Sequence, residues 1–171
     1  MRKLDLQAKF AKARQSASGL RMLNRLLSIG IPFNKPHRLK ITELTMEKAV
    51  VSLPYIRRNK NHINGMHACA IATGAEYVTG LLLLQALDAS KYRLIMKKLE
   101  VEYHYQGKMD AKIEYLLPAE TLQKEVIDKV GSSGVVEFIA QPEVYDVEGN
   151  HLATGHIHWQ VKDWKQVKTG R

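Results

Sequence analysis

Glu76 is the only formal charge in the twenty residues 68–87. A carboxylate held in so apolar a segment is desolvated, and its pKa rises toward the range useful to a general base; unprotonated, it is also a nucleophile. The other reading is that Glu76 pairs with a buried Arg, His or Tyr. Just upstream stands Asn61-His62-Ile63-Asn64-Gly65-Met66-His67-Ala68-Cys69-Ala70. If Ala68 opens a helix, its N–H lacks an intrahelical acceptor and lies at the positive end of the helix dipole, where negative charge is favoured. That N–H is the candidate donor to an oxyanion developing on an attacked carbonyl. Asn61 can hold a water or cap the loop, and His67 better suits ordering the turn into the helix than chemistry. Arg57, Arg58 and Lys60 precede the motif and suit phosphate groups or solvent equally. Gly65 and Met66 lie between them and the helix start, where a bound substrate would pass.

Spacing adds a constraint. Ala68 and Glu76 are eight residues apart, about 12 Å along a helix. One carbonyl cannot touch both, so a site using both takes one group from each of two subunits, with their helices antiparallel across a two-fold axis.

These groups need elements to hold them. Residues 4–29 carry apolar positions at helical spacing, with Leu20, Leu23 and Leu27 on one stripe and Lys9, Lys12, Arg14, Arg21 and Arg25 on the other. Gly30, Pro32 and Pro36 end that helix. Strands are expected at 39–45 and 48–55, then a buried helix over 68–87. Leu99, Val101, Tyr103 and Tyr105 alternate with polar residues, and 112–117, 135–145 and 152–164 read as further strands. A turn is expected at 146–150 and a short helix between Pro118 and Gly131. The fold class is α+β: a long central helix wrapped by an antiparallel sheet of about six strands, with an N-terminal amphipathic helix. The divisions are 1–37, the basic helix and linker, and 38–171, the main domain.

Composition narrows the function. The chain of 171 residues has one cysteine, Cys69, so no internal disulfide forms. The first thirty residues are charged throughout, unlike a secretion signal, and a cytoplasmic setting is expected. The net charge of +9 sits entirely in residues 1–40, which hold ten Lys or Arg and one acid, whereas 41–171 hold sixteen of each sign. A basic face for nucleic acid is therefore not expected on the main domain. The N-terminal helix could instead touch a membrane surface peripherally. A carboxylate at mid-span argues against residues 68–87 crossing a bilayer. His156 and His158 share a strand face but lack an evident third ligand, so no metal and no cofactor are expected.

The 61–76 motif resembles that of the hotdog-fold thioesterase superfamily, in particular the phenylacetate-degradation-type branch and its relatives of unknown function described as acyl-CoA thioesterases. Asn61, His67, Ala68 and Glu76 fall on the family's Asn, His, helix-opening Gly or Ala, and acidic positions. The strand order agrees over about 38–162. Asn64-Gly65 stands where Gly-Thr is common, and Ala68 where several members have Gly. The resemblance implies hydrolysis of an acyl thioester to free acid and CoA thiol, with Glu76 as general base or nucleophile and the Ala68 N–H as oxyanion donor. It also implies paired sites at a homodimer interface, in a homodimer or a dimer of dimers (homotetramer). The competing expectation is a non-catalytic protein that binds an acyl thioester or another apolar ligand.

Overall fold

The computed structural model describes residues 6–167. The N-terminal stretch is two helices rather than one, α1 (Leu6–Gln15) and α2 (Ala17–Gly30). Ser16 breaks the run: its backbone is extended and its Oγ accepts from the Gly19 N–H at 3.1 Å, capping α2. The two helices approach so closely that a Cβ on Gly19 would lie 2.2 Å from the Lys12 carbonyl oxygen. Periodicity is nearly blind to such a break, because both halves are amphipathic. Residues 4 and 5 of the expected helix lie outside the described residues.

Seven strands form one antiparallel sheet: β1 (Lys40–Leu44), β2 (Lys48–Leu53), β3 (Tyr92–Tyr103), β4 (Ala111–Leu116), β5 (Val135–Ala140), β6 (Glu143–Asp146) and β7 (His151–Asp163). Their order is β1-β2-β4-β6-β7-β3, with β5 also on β7. The single strand expected over 135–145 is thus β5 and β6 in tandem along one side of β7. Pro142 separates them, since it has no N–H for the ladder, and its carbonyl accepts from Gly155 at 3.0 Å. The turn after β6 is held by the Asp146 carboxylate, which accepts from the Glu148 and Asn150 N–H groups.

The central helix α3 (Ala68–Ala86) lies against this sheet, touching β2, β3, β4, β6 and β7. Alternate residues of β7, among them Ile157, Trp159 and Val161, face α3 and are buried. His156 and His158 face outward, where Glu102 and Glu100 of β3 lie 3.9 and 3.5 Å away. Although α3 is long and apolar enough to cross a membrane, 67% of it is buried inside the protein, as befits a core helix. A short α4 (Ala119–Leu122), a π-helical turn (Gln123–Ile127) and α5 (Asp128–Ser133) link β4 to β5.

The N-terminal helices enter this core. Phe10 and Leu23 are fully buried, and Leu27 nearly so. Gln7 donates to the Leu84 and Leu87 carbonyls, which the end of α3 leaves without intrahelical partners. The Asn24 side chain both accepts from and donates to the backbone of Ile41 in β1. The other sheet edge, β3, pairs with β7 on one side only and leaves Ile95, Met96 and Tyr103 exposed.

Candidate active site

The approach to α3 is built around the fully buried Asn59, whose amide donates to the His37 and Pro54 carbonyls while its Oδ1 meets His37 Nδ1. The Asn59 carbonyl accepts from the His67 N–H at 2.7 Å, fixing where the helix begins. His67 is the N-cap: its Nδ1 accepts from the Cys69 N–H at 3.1 Å. Asn61 organises the loop, its Oδ1 accepting from the N–H groups of Ile63 and Gly65. Asn64 adopts a left-handed φ of 57°, which Asn tolerates better than most residues. At Gly65 a Cβ would lie 2.9 Å from Gln106 Nε2, the end of a flexible side chain.

The Ala68 N–H has no intrahelical acceptor, and among the described residues no other group takes it. The Ala68 carbonyl accepts from the Tyr103 hydroxyl at 2.9 Å, tying the helix start to the end of β3. Ala68 lines a cavity of about 340 Å³ with Asn61, Met66, Ile71, Tyr103 and Gln106. Arg57 and Arg58 are exposed on the 3-10 turn Arg57–Asn59 that precedes Asn61 in the chain, and the Lys60 ammonium lies 3.7 Å over the Tyr55 ring.

Glu76 lies two turns further along. It lines a separate cavity of about 210 Å³ with Leu27, Ile31, Asn34, Tyr77, Leu81, Leu94 and Trp159. Burial raises the Glu76 carboxyl above its ordinary pKa, and among the described residues its side chain has neither an ion pair nor a hydrogen bond. Burial and the neighbouring Glu76 also push the Tyr77 hydroxyl up. Gly80 deepens the cavity: a Cβ there would stand 3.3 Å from the Trp159 ring and 3.9 Å from Glu76 Oε1. Trp159 is held in turn by its Nε1–H, which donates to Thr79 Oγ1 at 3.0 Å.

The structure therefore brings Asn61, Met66 and Ala68 together and keeps Glu76 apart from them, on the same helix. Between the two cavities Cys69, Ala72, Thr73 and Glu76 form a stripe of α3 that its own sheet leaves partly uncovered. Two cavity residues escaped the sequence reading. Tyr103 could be placed only once the strand ended at the helix start. Asn34 sits in a Pro-rich turn with no motif, yet it is 7% exposed and faces the Glu76 cavity; its backbone N–H donates to the Ile31 carbonyl, while its side-chain amide has no hydrogen bond among the described residues. A hollow of about 730 Å³ lies over the paired strands β4 and β6 around Lys112, Leu116 and Tyr145 and contains none of these groups.

A family model described as "Domain of unknown function (DUF4442)" matches residues 19–161. The chain belongs to this family. The DUF4442 match takes in most of α2, the whole motif and nearly all of the sheet. No curated protein matches the chain. Among solved structures, a protein of unknown function from Pseudomonas aeruginosa, described as a probable thioesterase, is 26% identical over 84% of this chain and 95% of its own, with a TM-score of 0.77. A protein of unknown function from Chlorobaculum tepidum is 12% identical over 88% of this chain and 98% of its own, with a TM-score of 0.72. A thioesterase from Haemophilus influenzae is 11% identical over 88% of this chain and 94% of its own, with a TM-score of 0.67. This DUF4442 chain has the hotdog fold of the thioesterase superfamily.

Proposed function

We propose that this protein hydrolyses acyl-CoA thioesters at sites shared between two copies of the chain. The observation that carries the proposal is the Glu76 carboxylate, partly desolvated and without a partner among the described residues, in an apolar cavity of its own. A half-buried acid among apolar side chains, with no counter-charge among the described residues, costs the fold some desolvation, so its presence points to chemistry. Its complement, the free Ala68 N–H, lines a different cavity, two turns away.

Two chains meeting along the unpaired β3 edge and the uncovered stripe of α3 would set the Ala68 end of one helix against Glu76 of the other. In the reaction Glu76 takes a proton from water as the water oxygen attacks the thioester carbonyl carbon. The partner copy's helix start stabilises the oxyanion through a backbone N–H. Collapse of the intermediate breaks the C–S bond, and the proton held by Glu76 passes to the departing CoA sulfur, leaving free acid and thiol. In the nucleophile variant the carboxylate attacks the carbonyl directly, the C–S bond breaks and the CoA thiolate leaves, taking a proton from solvent, and water then cleaves the resulting anhydride to free acid and the Glu76 carboxylate. Asn34 faces the same cavity and would hold the water or the carbonyl, and Arg57, Arg58 and Lys60 would meet CoA phosphates.

The test is thiol release from a panel of acyl-CoA chain lengths and aromatic acyl groups. Turnover that Glu76→Gln abolishes supports the proposal; no thiol release from any member overturns it. The competing reading is a binding module without turnover, favoured by the engagement of Asn61 Oδ1 with loop N–H groups. Tight acyl-CoA binding with no thiol release selects it.

A further inference from the structure

The described part of the N-terminal segment carries an unanswered charge. Residues 6–40 contain eight Lys or Arg and no acid. None of the eight makes an ion pair among the described residues, whereas Lys48, Lys97, Lys98, Lys112, Lys124 and Lys129 elsewhere all meet glutamates. The same segment exposes apolar side chains: Met22 is 56% exposed, Ile29 66% and Phe33 69%. Met22 and Ile29 are seven residues apart, two turns along the solvent face of α2, and Arg21 and Arg25 are exposed beside them. Phe33 follows in the 3-10 turn Pro32–His37, with Lys35 exposed in that turn and Arg38 at its end.

We propose that this face docks on anionic lipid bilayers, with Met22, Ile29 and Phe33 entering the headgroup region while Arg21, Arg25, Lys35 and Arg38 meet lipid phosphates. Exposed apolar groups set among cations fit that boundary, where apolar burial and attraction to anionic lipid add together. A nucleic acid would answer the cations but leave the aliphatic Met22 and Ile29 bare, so the mixture favours lipid. The inner side of the same segment reaches the Glu76 cavity: Leu27, Ile31 and Asn34 form part of its wall. A docked molecule would then hold the acyl cavity beside a source or sink of apolar chains. That link rests on the thioesterase reading; the docking itself does not.

The test is co-sedimentation of the full chain, without substrate, with vesicles of phosphatidylglycerol and phosphatidylcholine in equal parts, against pure phosphatidylcholine. Binding is expected to be about tenfold or more stronger to the anionic vesicles. It should weaken as salt shortens the screening length from about 10 Å at 0.1 M to about 3 Å at 1 M. The triple variant Met22→Ser, Ile29→Ser, Phe33→Ser and the double variant Arg21→Gln, Arg25→Gln should each lose most of the binding. Both should keep the wild-type melting curve, molecular mass in light scattering and turnover of a soluble short-chain acyl-CoA. Wild-type protein that stays in the supernatant, or a triple variant that binds as well as wild type, overturns the proposal. So does a changed mass in the triple variant, which would place these residues between copies of the chain. Tighter binding to a DNA oligonucleotide than to the vesicles, unaffected by the triple variant, overturns it in favour of nucleic acid. If vesicle binding is found and no acyl-CoA is turned over, the catalytic reading fails and the docking stands.

Discussion

At the scale of single residues, Glu76 sets activity and stability against each other. Glu76→Gln keeps the side-chain size and removes the half-buried charge. Thiol release is expected to fall by about a hundredfold or more, while the melting temperature holds or rises. Comparable turnover by the variant would remove Glu76 from the mechanism. The pH dependence has a definite sign. Because folding raises the Glu76 pKa, the native state binds more protons than the unfolded chain in the window from the ordinary carboxylate value up to the raised one. The Glu76 contribution to stability therefore falls as pH rises through that window, and Glu76→Gln flattens that part of the profile of urea midpoint against pH. Activity runs the other way, since the base must be unprotonated, and its acidic limb should be displaced upward. Asn34 gives a second test. The Asn34 side-chain amide makes no hydrogen bond among the described residues and so adds little to stability; Asn34→Leu should leave the melting temperature unchanged or higher and lower kcat/KM by about tenfold.

At the scale of elements, the charge asymmetry of the sequence suggests a basic arm separable from a neutral body, but the packing shows helices joined to the core. Leu23 is fully buried, and Asn24 beside it binds the backbone of β1. Leu23→Ala is accordingly expected to lower the unfolding free energy by about 2–5 kcal/mol in urea titration, the range for a leucine cut from a packed interior. A change under about 0.5 kcal/mol, typical of surface positions, would show that α1 and α2 sit loosely on the sheet.

At the scale of the whole molecule, the separation of Ala68 from Glu76 demands a partner, and mixed dimers test it. One inactive parent carries Glu76→Gln. The other carries Ala68→Pro, which removes the proposed donor at a first-turn position where proline is tolerated. His67 before it is already extended, at φ −68° and ψ 132°, as a residue preceding proline must be. If each site draws on both chains, a hybrid holds one site with both defects and one intact. Mixing should then restore up to about half of the activity per dimer. Hybrids verified by mass to have exchanged subunits, yet as inactive as their parents, would sink the shared-site arrangement.

The central helix, most of the strands and the helix-start motif were legible in the sequence because they rest on local patterns: an apolar run with one acid, alternation along 99–105, and turn residues at 146–150. Those patterns also fixed the distance from Ala68 to Glu76, which helical rise alone dictates. Tertiary structure decided what depends on neighbours distant in sequence. The break at Ser16 is stabilised by α1 folding back on α2, and the division of β5 from β6 is a matter of pairing with β7, so one helical or extended pattern could not reveal either. The cavity around Glu76 draws its wall from α2, the Pro32–His37 turn, β3 and β7. Asn34 and Trp159 enter it because the chain folds them there, since burial, unlike periodicity, is a property of what surrounds a residue rather than of the residues beside it in the chain.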